Sequence, residues 1–136
     1  MAESPRPRVL LADDYAGILT ALERLLKPDC EVVGSVADGI ALVDAAKRLR
    51  PDVVVVDLNM PELSGLEACR RIKQTGSDIA VIVLTAADDV WIEQVALGLG
   101  AFALLAKSKV ADHLLPVIFR ACSRRPGGAR VDSKTF

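Results

Sequence analysis

Aromatic residues make up only 4% of this 136-residue chain, although 51% of it is apolar. Its core must therefore be aliphatic, built from Val, Leu, Ala and Ile. Cysteine is scarce and scattered: Cys30, Cys69 and Cys122 are odd in number and include no Cys-x-x-Cys pair. That argues against a disulfide framework or a thiolate zinc site and leaves reduced thiols packed as small hydrophobes. Net charge is almost absent too, at −1, so no global field recommends nucleic acid or a membrane surface. No apolar run approaches the ~20 residues needed to cross a bilayer. Met1 to Arg8 carries prolines and charges but no apolar signal segment. Together these absences predict a soluble, cytoplasmic domain with no membrane partner. A surface position is expected for the single histidine, His113.

What the chain does have is alternation. Pro51 to Gly65 reads Pro-Asp-Val-Val-Val-Val-Asp-Leu-Asn-Met-Pro-Glu-Leu-Ser-Gly, and Val53 to Val56 are β-branched and apolar on both faces. A run that short and that apolar fits the central strand of a parallel sheet. Similar runs occur at Arg8–Ala12, Cys30–Val36, Ile79–Leu84 and Phe102–Leu105. Between them, apolar residues recur at helical spacing, as in Ile18, Leu19, Leu22, Leu25 and Leu26 before Pro28. Helices are likewise predicted through Leu42–Leu49, around Leu66–Ile72, from Asp88 to Leu99, and through Val110–Cys122. Five β-then-α units leave one architecture, a doubly wound five-stranded parallel sheet with helices on both faces. The expected organisation is a flexible leader over residues 1–7, one domain over 8–122, and a basic, Gly-rich linker or tail over 123–136.

The residues immediately after strands one, three, four and five are Asp13-Asp14, Asp57, Thr85 and Lys107. In a parallel sheet these all fall on one edge, where such folds place their sites. Asp57 could simply cap a turn or the next helix, but three converging carboxylates would repel one another and raise each other's pKa. A hard divalent cation with oxygen ligands relieves that repulsion, and Mg²⁺ suits carboxylates with retained water. Lys107 adds a point charge and Thr85 a hydroxyl donor. A carboxylate nucleophile, a cation, an ammonium and a hydroxyl make a phosphoryl-transfer site, in which the Asp attacks phosphorus to give an acyl phosphate.

The four motifs in order, Val-Leu-Leu-Ala-Asp13-Asp14, Asp57-Leu-Asn-Met-Pro61 with Gly65, Leu-Thr85-Ala86, and Gly100-Ala101 followed by Lys107, resemble the receiver domain of two-component response regulators over roughly residues 8–122. The wording around Asp57, with Gly65-Leu66-Glu67, is similar to the NarL/LuxR class. The resemblance implies a flavodoxin-like (βα)5 fold and a phosphoprotein switch rather than a turnover enzyme, at most taking phosphoryl groups from small donors and slowly losing them. Asp57 would accept the group from a sensor histidine kinase. Asp14 would bind Mg²⁺ directly, Asp13 through water, and the Asn59 backbone carbonyl would be a further metal ligand. Thr85 and Lys107, with the Ala86 amide, would hold phosphoryl oxygens, and Thr85 would move inward on activation.

Two positions depart from that pattern. Leu104 stands where relatives carry Tyr or Phe, and Ser108 follows the lysine where many carry proline. The period of two puts Phe102 on the same side as Leu104, where it would replace the aromatic in part; a plain packing role is the alternative. Trp91 is either packed or an exposed anchor for a partner or a homodimer. An aspartyl-phosphate phosphatase would carry a second acid two residues after the nucleophile, where this chain has Asn59. A nucleotide- or flavin-binding domain would need a phosphate-cradling loop after strand one, where Asp13-Asp14 would repel phosphate. After Cys122 too few residues remain for a helix-turn-helix domain. The resemblance thus implies either a stand-alone receiver or a regulator whose DNA contact lies in an output domain absent from this chain.

Overall fold

A computed structural model describes residues 6–87 and 89–123. The tail expected from residue 123 lies outside the described residues except for Ser123, as do residues 1–5 of the expected leader. Elements alternate as expected: β1 Arg8–Ala12, α1 Ala16–Leu26, β2 Glu31–Val36, α2 Gly39–Leu49, β3 Val53–Asp57, α3 Gly65–Gln74, β4 Ala80–Thr85, α4 Val90–Gly98, β5 Ala103–Ala106 and α5 Val110–Ser123. All pairings are parallel, and the strand order is β2-β1-β3-β4-β5.

The core divides by the strand period. Val9, Leu11, Val53, Val55, Ile82 and Leu84 face one way and pack on Leu22 and Leu26 of α1 and on Leu114 and Ile118 of α5. Their neighbours Leu10, Ala12, Val54, Val56, Val81 and Val83 face the other way, onto Leu42 of α2, Cys69 and Ile72 of α3, and Ala96 of α4. β3 is buried at all five positions, because β1 and β4 flank it and helices cover both its faces. The cysteines behave as hydrophobes: Cys30 and Cys69 are buried, Cys122 is half-buried, and none of the three is in a disulfide. Burial is the main cause that pushes both buried thiols up to about 11, which keeps them protonated and unreactive.

Element boundaries move where local hydrogen bonds override the apolar pattern. Cys30 stands outside β2 because its amide closes the end of α1 on Leu26 O, at 2.8 Å. Ile79 stands outside β4, where the Ser77 hydroxyl takes its amide and the Lys73 ammonium donates to its carbonyl. Asp89 caps α4 through the Trp91 and Ile92 amides, so the helix begins at Val90; Asp88 lies outside the described residues. Asp38 caps α2 in the same way, accepting from the Ala41 amide at 2.7 Å. Asp38→Ala is therefore expected to destabilise the domain by about 1 kcal/mol, read as a lower urea midpoint at unchanged slope.

The expectation for Phe102 does not hold. Leu104 packs toward α2–α4, whereas Phe102 joins Ala103 and Leu105 on the α1–α5 side. Alternation applies only within a strand, and β5 begins at Ala103, just after the left-handed turn at Gly100 (φ 106°). Phe102 and Ala103 therefore fall on the same face, and Phe102 cannot stand in for an aromatic at position 104.

Candidate acidic site at the sheet edge

The chain turns in opposite directions out of β1 and β3, the adjacent central strands, and their ends meet where Ala12 pairs with Val56. The next residue on each strand is an aspartate, so the reversal of strand order places Asp13 beside Asp57. Asp57 closes β3 opposite Leu84, and Thr85 closes β4 opposite Ala106, one residue before Lys107. All the site residues expected at these strand ends thus share one edge.

Asp13 is 1% exposed, Asp57 6% and Thr85 5%, while Asp14 is exposed. One carboxylate oxygen from each of Asp13, Asp14 and Asp57 can be chosen so that all lie within 4.8 Å of one another. The Lys107 ammonium bridges the two buried acids, 3.0 Å from Asp57 Oδ1 and 3.5 Å from Asp13 Oδ2. Asp13 Oδ1 accepts the Tyr15 amide at 2.9 Å. Asp13 Oδ2 is buried with no hydrogen bond among the described residues; Lys107 attracts it but lacks hydrogen-bond geometry there. The Thr85 hydroxyl donates to the Ala87 carbonyl at 3.2 Å, within its own loop. Asn59 is exposed on the β3–α3 loop, and Leu104 is half-buried in β5.

The charges are in tension. Burial raises the Asp57 pKa above 3.8 and repulsion from Asp13 and Asp14 adds to this, with the Lys107 hydrogen bond opposing them. For Lys107, burial alone would lower the pKa, but the bond and attraction to Asp57, then Asp13, outweigh it and hold the ammonium above 10.5. A carboxyl whose native pKa is raised binds more protons folded than unfolded. Its contribution to stability is thus fully present below 3.8 and is lost as pH rises through the native value. Asp57→Asn is accordingly expected to stabilise the domain in EDTA at neutral pH. The gain should shrink as pH falls toward 4, checked by thermal melts across that range.

The donor set fits a hard cation. It is all oxygen, carries excess negative charge, and includes one buried carboxylate oxygen with no hydrogen bond among the described residues. Sequence reasoning passed over Tyr15, whose amide fixes Asp13; the Asp-x-amide turn formed by Asp13-Asp14-Tyr15 was its available signal. It also gave no role to the Ala87 carbonyl, which has no side-chain signature at all.

Comparison with known proteins agrees with this geometry. Residues 9–119 match the family model of the response regulator receiver domain. The response regulator MprA of Mycobacterium sp. (strain KMS) is 38% identical over 118 residues, covering 87% of this chain and 51% of that protein. The chain thus spans about half the length of the curated relatives it matches. Among solved structures, the signal receiver domain of the response regulator NarL from Mycobacterium tuberculosis superposes with a TM-score of 0.85 at 25% identity, covering 90% of this chain and 100% of that one. A two-component response regulator of the LuxR family from Aurantimonas sp. gives 0.81 at 27% identity, with 88% of each chain covered.

Proposed function

This chain belongs to the response regulator receiver domain family, and we propose that it is a phosphoacceptor switch in which Asp57 takes a phosphoryl group from a sensor histidine kinase. The observation that carries this reading is the meeting of Asp13, Asp14 and Asp57 with Lys107 at adjoining strand ends. A carboxylate oxygen of Asp57 attacks phosphorus; the P–N bond to the kinase histidine breaks, and its electron pair stays with the imidazole. The product is an acyl phosphate.

Mg²⁺ would be held by the carboxylates of Asp14 and Asp57 and the Asn59 carbonyl, with Asp13 acting through water. When bound it neutralises charge on the acids and the phosphoryl oxygens. The remaining tasks fall to the protein. Lys107 sets its ammonium against Asp57, so that the incoming dianion meets a cation already in place. The Thr85 hydroxyl exchanges the Ala87 carbonyl for a phosphoryl oxygen, and this exchange draws Thr85 inward. Leu104, on the α2–α4 face, leaves that movement without an aromatic ring at this position. The readout is a change of surface, passed to an output segment or to a partner, with DNA contacted only through an output domain beyond this chain. A cytoplasmic setting fits both the kinase and the finding that, among the described residues, no helix is long and apolar enough to cross a membrane. A homodimer, with Trp91 exposed by 75%, is a candidate active form.

Intact-protein mass after incubation with acetyl phosphate tests the proposal. One phosphoryl group should be gained with Mg²⁺ and none with EDTA. No gain, together with no binding of beryllofluoride and Mg²⁺, would leave a receiver regulated without phosphorylation.

A further inference from the structure

We propose that the groove between the C-terminal ends of α2 and α3, on the sheet edge away from Asp57, binds a small organic acid with an apolar body and a single anionic group. The groove is half open to solvent and has a volume of about 580 Å³, within the range of small-molecule sites. Val43, Ala46, Ile72 and Ile79 give it an apolar floor. Lys47, Arg50 and Arg71 stand on its rim as cations, against one acid, Asp78. Arg71 is already paired with Glu67 at 3.0 Å. Among the described residues neither Lys47 nor Arg50 has an acidic partner, so two cations face the groove uncommitted.

Arg50 is the telling residue. It ends α2 in the left-handed conformation, φ 50° and ψ 60°, a place where glycine is the usual residue. Its amide bonds Ala46 O and its carbonyl accepts from Arg8 Nη1 at 2.8 Å, so the backbone is held there independently of the side chain. The helix dipole accounts for Lys47 and Arg48 near the end of α2. It does not require an arginine at a position that glycine fills without strain. A guanidinium fork there is suited to a carboxylate or sulfonate. Asp78 on the same rim disfavours di- and triphosphates, which narrows the ligand to a monoanion, and the floor asks for an aryl or branched aliphatic body.

The probe is 8-anilinonaphthalene-1-sulfonate, titrated into ¹⁵N-labelled chain of residues 1–136 without acetyl phosphate, so the result stands apart from the phosphoryl reading. Amide shifts should concentrate at Ala46, Gly76, Ser77 and Asp78. Arg50→Gly should weaken binding about tenfold, the loss of one charge-assisted hydrogen bond, while melting at or above the wild-type temperature because the left-handed backbone suits glycine. Shifts confined to the exposed face of α4 around Trp91, or unchanged affinity in Arg50→Gly, would overturn the proposal.

Discussion

Asp57→Ala is expected to abolish phosphoryl acceptance, with no mass gain from acetyl phosphate and Mg²⁺ under conditions that modify the wild type fully. Neither neighbouring acid can replace it. Asp13 is buried with one oxygen on the Tyr15 amide and the other toward Lys107. Asp14 is exposed and lacks the lysine contact that Asp57 has. Of the three acids, Asp57 combines burial at a strand end with an ammonium at 3.0 Å. Asp57→Glu moves the nucleophile by one methylene and should slow modification by about 10²-fold, instead of abolishing it. Folding provides the control: removing a carboxylate whose pKa is raised by burial should leave the melting temperature in EDTA at or above that of wild type. A mass gain in Asp57→Ala equal to wild type would move the acceptor elsewhere.

How far the sequence discloses this molecule depends on what kind of information a residue carries. Val53–Val56 announce a central strand because burial on both faces demands an unbroken apolar run, and all four valines are fully buried. Asp13, Asp57, Thr85 and Lys107 are legible because each directly follows or closes such a run, so that strand topology alone brings them to one edge. Phe102 misleads for the complementary reason. Its side depends on where β5 begins, which the left-handed turn at Gly100 decides rather than any apolar pattern. The Ala87 carbonyl and the Tyr15 amide are invisible because backbone groups have no residue signature. Arg50 is a milder case: its charge can be read, but its left-handed φ is set by the ending of α2 against Arg8.

Gly65→Ala is expected to damage stability and chemistry together, which ties the backbone at the start of α3 to the site. Gly65 is buried, and its amide donates to Leu58 O at 2.9 Å. A Cβ there would press into the Asp57 carbonyl oxygen, with Asp57 C at 3.0 Å and Leu58 Cα at 3.1 Å. All three atoms are backbone, so no rotamer change relieves the clash, and either α3 or the end of β3 must shift. Overpacking of that kind costs about 3 kcal/mol, read as a lower urea midpoint. Because the displaced atoms belong to Asp57 and to the residue leading into Asn59, phosphoryl gain should also slow by about 10²-fold in molecules that remain folded. Gly98 supplies the contrast, since a Cβ at this last position of α4 meets nothing within 4 Å. Gly98→Ala should therefore be neutral or stabilising, by up to about 1 kcal/mol, with acceptance unchanged. If Gly65→Ala instead matched Gly98→Ala in both measurements, the close approach of α3 to Asp57 would not be what positions the acceptor.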